Sequence, residues 1–222
     1  MRAFVALALV MFFSGECFPT VLPTTLRELT DSAKLIVIGR VTNVRDVKGL
    51  KVAEVRVTKT LKGSPQELVY YLAQPTWICD ITSANVGQET LFFFGKYRFD
   101  PHPASMAYVK STGTAGSYTI EDGATPAGAF KEPIGFQEAI TAIVGSSPFW
   151  QVAWSGRGQM PLRHVSDEKY VTVWTGDVQL PTDMSTISGP QRKYSGFIRS
   201  VSLLQMLNFI QSTKSIRSTS QR

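Results

Sequence analysis

Hydrophobic and polar residues alternate most clearly between positions 34 and 61. The run Lys34–Val47 is rich in β-branched residues and predicts a long strand, with Gly39 as a bulge or a point of close packing. Lys48-Gly49 predicts the turn that follows. A second strand is predicted over 51–61, where most polar residues share one side. The apolar side of that strand carries Ala53, Val55, Val57 and Leu61.

A short helix is predicted before these strands, and further strands after them. Thr24 or Thr25 caps the helix, and Glu28 lies in its first turn, where the helix dipole favours a negative charge. Runs of apolar and β-branched residues bounded by turn residues predict the later strands. These are Glu67–Ala73, Thr90–Phe94 (buried on both faces), 106–110 and 117–121.

The second half of the chain alternates less regularly. We expect a loop at Asp122–Gly128 and a helix from Pro133 to Gly145, because proline suits a first helical turn and glycine ends a helix. The remaining predictions are a turn at Gly156-Arg157-Gly158, a strand at Tyr170–Trp174, loops at Asp177–Met184 and Ile187–Pro190, a helix capped by Ser202 and a mobile tail at Thr213–Arg222.

The first residues have the pattern of a secretory signal peptide. Arg2 is followed by the apolar run Ala3–Phe13 and then by the small residues Ser14-Gly15. The run is shorter than the roughly 20 apolar residues of a membrane span. We therefore expect cleavage after this segment and a secreted or periplasmic protein with no membrane span. Two alternatives stay open: a buried first strand or helix, and a lipoprotein acylated at Cys17, against which Glu16 argues because a small residue normally stands there.

Composition narrows the function classes. Hydrophobic residues make up 43% of the chain and charged residues 18%, which is typical of a globular domain, and the formal charge is +6. Two cysteines and two histidines exclude a zinc-finger array, an iron–sulfur cluster and a disulfide-dense scaffold, so we predict no metal site and no cofactor. The chain has no local hydrolase, zinc-protease or phosphate-loop motif, so we assign no catalytic residue.

Export would place Cys17 and Cys79 in an oxidising compartment, where they form the only possible intramolecular disulfide. This bridge closes a loop of about 63 residues and stabilises the fold by up to about 4 kcal/mol on the chain-entropy model. It would tie the mature N-terminus to the middle of the fold. The alternative is two unpaired thiols.

The order of elements in the first half resembles a known module. A helix ending at Ala33 leads into Ile36-Val37-Ile38-Gly39-Arg40-Val41, and a second strand ends in Val57-Thr58-Lys59-Thr60-Leu61-Lys62-Gly63. Cys79 and then Gly87-Gln88-Glu89-Thr90-Leu91-Phe92-Phe93 follow. Over about residues 25–97 the chain is similar to the netrin-like, or tissue-inhibitor-of-metalloproteinase-like, module in its exported bacterial forms.

That resemblance implies a small antiparallel barrel of the oligonucleotide/oligosaccharide-binding (OB) type, and a bridge from an N-terminal to a mid-barrel cysteine suits it. We therefore predict a β-rich α+β protein with a netrin-like barrel and a C-terminal α+β extension. Its segments are a signal peptide (1–15), an OB-like β-barrel (16–121), an extension packed on the barrel (122–212) and a flexible tail (213–222).

The resemblance favours a non-catalytic binding or interaction protein. Inhibitors in the family chelate a protease zinc through the amine and carbonyl of a terminal cysteine in a Cys-x-Cys opening. Here the opening is Cys17-Phe18-Pro19, without the second cysteine, and Glu16 must be removed to free the amine. Metalloproteinase inhibition is thus the alternative function, followed by an extracytoplasmic hydrolase.

Basic residues mark the first candidate binding surface. Between Arg40 and Lys62, seven basic residues stand against two acidic ones. On adjacent strands such residues can form a basic ribbon that holds a polyanion, although export makes nucleic acid an unexpected ligand. The alternative is a solvated barrel face on which lysines prevent edge aggregation. The candidate polyanion-binding residues are Arg45, Lys51, Arg56 and Lys59.

Aromatic residues in the extension mark the second candidate surface. Tryptophan offers a flat face for stacking on a sugar or an apolar ligand, and a neighbouring arginine can orient that ligand. The alternative is that these aromatics attach the extension to the barrel. The candidate groove consists of Trp150, Trp154, Arg157 and Trp174. The partner, a protein or a polyanionic or glycan ligand, is not identified by the sequence.

Overall fold

The structure is a computed structural model, described for residues 23–75, 80–97, 99, 108–111, 118–121, 133–154, 156–176, 178–188 and 198–220. Within these ranges the chain forms three helices and thirteen strands. The helices are α1 (Leu26–Ser32), α2 (Phe136–Val144) and α3 (Leu203–Ser220). The strands are β1 (Thr24–Thr25), β2 (Leu35–Val47), β3 (Leu50–Lys62), β4 (Leu68–Leu72), β5 (Glu89–Lys96), β6 (Tyr108–Ser111), β7 (Tyr118–Glu121), β8 (Phe149–Val152), β9 (Gln159–Val165), β10 (Glu168–Trp174), β11 (Val178–Gln179), β12 (Thr186–Ser188) and β13 (Ile198–Ser202).

Strands β2 and β3 form the predicted long hairpin. Lys48 and Gly49 at its turn have φ angles of +56° and +83°, as the tightest hairpin turns require. Gly39 is a point of close packing, because a Cβ there would lie 2.8 Å from the carbonyl oxygen of Arg56. Register shifts on both sides of this region change the alternation of β3. As a result Leu61 packs outside the barrel, contrary to the sequence prediction.

Five strands close into a barrel. Strand β2 pairs with β3 and β5, β3 pairs with β4, and β8 completes the ring by pairing parallel to β4 and antiparallel to β5. The prediction of a small closed β-barrel is therefore confirmed. The closing strand comes from residues 149–152, which the sequence assigns to the extension.

The barrel interior is filled by side chains. Aromatic residues occupy much of it: Phe92 and Phe94 stack with ring centroids 5.0 Å apart, and Tyr71 lies within 5.6 Å of both rings. The buried residues of this cluster are Leu35, Val37, Val41, Ala53, Val55, Val69, Tyr71, Ala73, Phe92, Phe94, Trp150 and Val152. A second cluster includes Phe136 and Ile140 of α2 together with Val47, Leu50 and Val52, and it packs on the side of the β2–β3 hairpin opposite the barrel interior.

Strand β5 belongs both to the barrel and to the sheet that continues beyond the barrel. One edge pairs with β2, and the other pairs first with β9 and then with β8. Between these two pairings the chain makes an excursion over 153–158, opposite Phe93. Phe93 accepts a hydrogen bond from the amide of Ala153 (2.8 Å) and donates one to the carbonyl of Gly158 (2.8 Å). The two hydrogen bonds that a single residue of a neighbouring strand would form with Phe93 are thus divided between Ala153 and Gly158.

Beyond β5 the sheet continues as an extension, in the order β9, β10, β13 and β12, all antiparallel. Its buried face packs against α1 and α3, with Leu91 and Phe93 of β5 reaching into the same core. Both faces of β5 are consequently buried, as its apolar sequence predicts.

Helix α1 is capped by Thr25, one of the two residues predicted to cap it, and Thr25 and Glu28 form a capping box. The hydroxyl of Thr25 accepts a hydrogen bond from the amide of Glu28, whose carboxylate accepts one from the amide of Thr25 (2.8 Å). At the other end, the ammonium of Lys62 donates to the carbonyls of Thr30 (2.7 Å) and Asp31 (3.0 Å). A cation at this end also complements the helix dipole.

Several elements of the extension differ from their predictions. The segments Asp177–Met184 and Ile187–Pro190, predicted as loops, contain β11 and β12, while β8, β9 and β13 were not predicted. Helix α2 begins at Phe136, three residues after the predicted Pro133, and helix α3 continues to Ser220 through residues predicted as tail. The predicted signal peptide and the loop at Asp122–Gly128 lie outside the described residues.

Candidate functional site

The four predicted polyanion-binding residues have different surroundings. Arg45 forms an ion pair with Glu54 (Nη2–Oε2, 3.1 Å), so its charge is compensated. Lys51 is exposed beside the hairpin turn, directly opposite Asp46. Arg56 and Lys59 are exposed on the outside of the barrel. The structure therefore leaves Arg56 and Lys59 as the better placed pair of the four.

Register adds a residue that the sequence prediction did not select. Arg40 on β2 lies directly opposite Arg56 on β3, and both side chains are exposed. On its other side Arg40 faces Glu89 on β5. The sequence shows that Arg40 is basic, but only the strand pairing places it beside Arg56.

Glu89 is the centre of a small ionic cluster at the junction of barrel and extension. Its carboxylate accepts two hydrogen bonds from the ammonium of Lys169 (3.1 and 3.2 Å), and Nε2 of His164 lies 3.7 Å away. The Glu89 side chain is 15% exposed. Partial burial strengthens its attraction to Lys169 relative to a fully solvated pair.

The predicted aromatic groove is spread over different environments. Trp150 is 6% exposed and lies inside the barrel, with its ring 6.2 Å from that of Phe94. Trp174 is 43% exposed on β10, on the face opposite the extension core that contains Val171 and Val173. Trp154 is also 43% exposed, and its indole N–H donates to the hydroxyl of Ser32 at the end of α1 (3.3 Å).

Trp154 and Arg157 are brought together in the excursion opposite Phe93. Arg157 is only 6% exposed, and its guanidinium lies 3.4 Å from the carbonyl of Trp154. Gly156 packs directly on the chain at Ile81 and Thr82, where an added Cβ would lie 2.7 Å from the carbonyl carbon of Ile81. Trp154 has a φ of +51°, uncommon for a bulky residue. This part of the candidate groove is a tightly packed loop with one partly exposed indole.

Perturbed titrating groups do not form a reactive centre in the described residues. Burial raises the pKa of Tyr71 well above its ordinary value, and its hydroxyl donates to the carbonyl of Ser83 (2.9 Å). The hydrogen bond to Glu168 raises the pKa of Tyr170. Each phenol is held in its neutral, hydrogen-bonded form, so neither is activated as a nucleophile.

A cavity of about 230 Å³ lies beside the end of α2. Aromatic rings of Tyr97, Phe99 and Phe149 contribute to its wall, together with Lys96 and Thr141. It is smaller than the usual ligand pocket of roughly 300–1,000 Å³. We therefore do not take it as the principal binding site.

No group of three or more His, Cys, Asp or Glu side chains within the described ranges is arranged to hold a metal ion. In the same part of the chain, none of the helices combines the length and apolarity that crossing a bilayer requires. Cys17 and Cys79 lie outside the described residues, so the predicted disulfide stays a prediction. Comparison with protein-family models and with curated proteins gives no match for this chain.

Proposed function

We propose that this protein is an exported, non-catalytic binding protein whose barrel is a netrin-like variant of the OB type. The closed ring of five strands is the observation that carries the proposal. Strand β8 joins the ring from a later part of the chain, between β4 and β5, which agrees with a five-stranded Greek-key barrel of this type.

The filled interior supports binding on the outside of the barrel. Tyr71, Phe92, Phe94 and Trp150 occupy the space within the ring, and all four are at most 6% exposed. A ligand or partner must therefore contact the outer strand faces and the loops. On the outer face of β2 and β3, Arg40, Arg56 and Lys59 are available for a polyanionic or glycan ligand.

Export and the Cys17–Cys79 bridge are part of the proposal. Asp80, the residue after Cys79, is 6% exposed, and its carboxylate accepts hydrogen bonds from the amide and hydroxyl of Thr82. The hydroxyl of Tyr71, in the barrel interior, donates to the carbonyl of Ser83 (2.9 Å), which holds the chain next to Cys79 against the barrel and limits the conformational entropy that closing the bridge would cost.

Production of the full chain in a secreting host tests export and the bridge. We expect a mature protein that begins after Ser14 or Gly15 and whose mass increases by two hydrogens on reduction; the Cys79→Ser variant provides the matched control with no bridge. Retention of the first 15 residues or two free thiols would contradict this part of the proposal. A mature chain that begins at Cys17 and inhibits a zinc protease would instead support the inhibitor alternative.

Binding is tested separately with the purified mature protein. A panel of immobilised glycans, polyanions and extracellular proteins is measured beside a panel of ester, peptide and glycoside substrates. Saturable binding to a panel member without turnover of any substrate is the expected result. Turnover that co-purifies with the protein, or no saturable binding to any member, counts against it.

A further inference from the structure

Two arginines are placed side by side on the outside of the barrel. Arg40 and Arg56 are directly opposite each other in the β2–β3 ladder, so their side chains leave the same face of the sheet. Directly opposed residues have Cβ atoms about 4.5–5.5 Å apart. Like charges at this spacing destabilise a sheet, so packing alone gives no reason for the pair.

Two carboxylates on the neighbouring strand positions already have other partners. Glu89, across from Arg40, is held by Lys169 at 3.1 Å. Glu54, two residues before Arg56, accepts from Arg45 (3.1 Å) and from the hydroxyl of Thr42 (2.8 Å). Neither Arg40 nor Arg56 forms an ion pair with any residue in the described part of the chain.

Two guanidinium groups at this spacing suit a tetrahedral oxyanion. Each guanidinium presents a planar fork of N–H donors that binds two oxygens at once. A sulfate or phosphate monoester has three free oxygens, enough for both forks to share, whereas a carboxylate has two and satisfies one fork. The pair therefore favours a sulfate or phosphate ester over a carboxylate.

A third cation continues the same face. Lys59 lies opposite Ile38, which is two residues from Arg40 along β2 and therefore on the same side of the sheet. Lys59 is exposed and forms no ion pair among the described residues. A second anionic group of the same ligand can contact it, which favours a polymer over a single small anion.

We propose that Arg40 and Arg56 together bind one sulfate or phosphate group of an extended polyanion, and that Lys59 contacts the next group. This inference rests on the proposed function of the barrel as a binding module. It assigns the ligand class to one outer face of the barrel, and it replaces Arg45 and Lys51 with Arg40 in the binding set.

Titration of the mature protein with a heparin fragment and with a phosphorylated dextran of matched charge, whose phosphate monoesters each have three free oxygens, tests the inference, with polygalacturonate as the carboxylate probe. We expect at least one of the tetrahedral oxyanions to bind at least about tenfold more tightly than polygalacturonate. Binding of heparin alone would identify sulfate as the source of the oxyanion, and binding of the phosphorylated dextran alone would identify phosphate. Equal affinity for polygalacturonate would overturn the proposed selectivity.

Three variants separate the paired site from overall charge. Arg40→Gln/Arg56→Gln is expected to weaken binding at least about tenfold and to reduce the salt dependence by about two ions. Arg40→Lys/Arg56→Lys keeps the charge but loses the forks, and should also bind more weakly. Arg27→Gln/Lys34→Gln removes two exposed charges elsewhere and should lower affinity less than threefold or so.

The outcomes distinguish this inference from the proposed function. If the wild-type protein binds a panel member but both Arg40/Arg56 variants bind it equally well, the paired site is wrong and the binding module stands. If the control variant loses as much affinity as the glutamine variant, net charge explains the binding and the paired site is also wrong. Circular dichroism of each variant establishes that its fold is intact.

Discussion

The barrel and the sheet extension share strand β5 but protect their backbones differently. In the barrel, every strand has a partner on both sides and the interior is filled by a cluster rich in aromatic rings. The extension ends at β12, which is three residues long, and only one of its faces packs against α1 and α3. The barrel has its core inside the closed ring, so exposed outer strand faces can carry charged groups. The extension encloses no interior, and its core forms only where the sheet packs against its helices.

The largest expected effect tests whether the two regions unfold together. Phe92 points into the barrel and Phe93 into the core of the extension, and both are fully buried. Phe92→Ala and Phe93→Ala should each lower the free energy of unfolding by about 3–5 kcal/mol. Because both side chains extend from one strand, we expect each variant to unfold in urea in a single transition. Circular dichroism and tryptophan fluorescence should both report that same transition.

Val86→Ala serves as the control for these two variants, since that side chain is 65% exposed and its loss should change stability by about 0.5 kcal/mol or less. Two separate transitions in the Phe93→Ala protein would show that the extension unfolds on its own and that sharing β5 does not couple the regions.

A smaller effect is expected where the two regions meet. Gly156 has a φ of +85° and lies against Ile81 and Thr82, so Gly156→Ala combines backbone strain with steric overlap. We expect a loss of about 2–4 kcal/mol in thermal unfolding. Gly87 has nearly the same φ, +86°, with open space around it, so Gly87→Ala should cost about 1–2 kcal/mol. Equal losses would mean that the contact with Thr82 is unimportant.

The next effect concerns the cap of α1, which covers the extension. Thr25→Ala removes the hydroxyl that accepts from the amide of Glu28 and should lower stability by about 1 kcal/mol. Thr25→Ser keeps a hydroxyl and should retain most of the wild-type stability. A ligand that binds the outside of the barrel should bind both variants as tightly as the wild type. Unequal affinities would show that ligand binding on the barrel depends on the cap of α1.

The smallest effect is a pH dependence of the same cap. Hydrogen bonds from the backbone and side chain of Thr25 lower the pKa of Glu28 below its usual value of 4.5. Its stabilisation is therefore full above that value and is lost as the pH falls through the lower folded pKa. Stability measured against pH should show Glu28→Gln less stable at neutral pH and the two proteins converging in acid. A constant difference at every pH would rule out this carboxylate as the cause.

Local patterns predicted the parts of the fold that depend on neighbouring residues. The β2–β3 hairpin follows from alternation and the Lys48-Gly49 turn, and α1 follows from its capping residues. Strand β9 was missed because it contains Pro161 and His164 and is defined by pairing with β5, some 70 residues away. Strand β8 has only four residues, too few to show a period.

The candidate site was predicted only in part for a similar reason. Arg56 and Lys59 could be selected as basic residues on an alternating strand. The pairing of Arg56 with Arg40 depends on register shifts in the hairpin, which composition does not encode. Trp150 was selected for its aromatic face, but strand closure turns that face into the barrel interior.

The hydrogen bonds of Phe93 bear on how this chain could have changed in evolution. Ala153 and Gly158 are themselves joined by a 3.0 Å hydrogen bond, so the five residues 154–158 can be regarded as an insertion into one continuous strand. Removing them would let Ala153 alone satisfy Phe93 and would leave every later residue on its original side of the sheet. A change in the length of this segment therefore leaves the pairing of β8 and β9 with β5 in register, whereas it removes the contacts that Gly156 makes with Ile81 and Thr82.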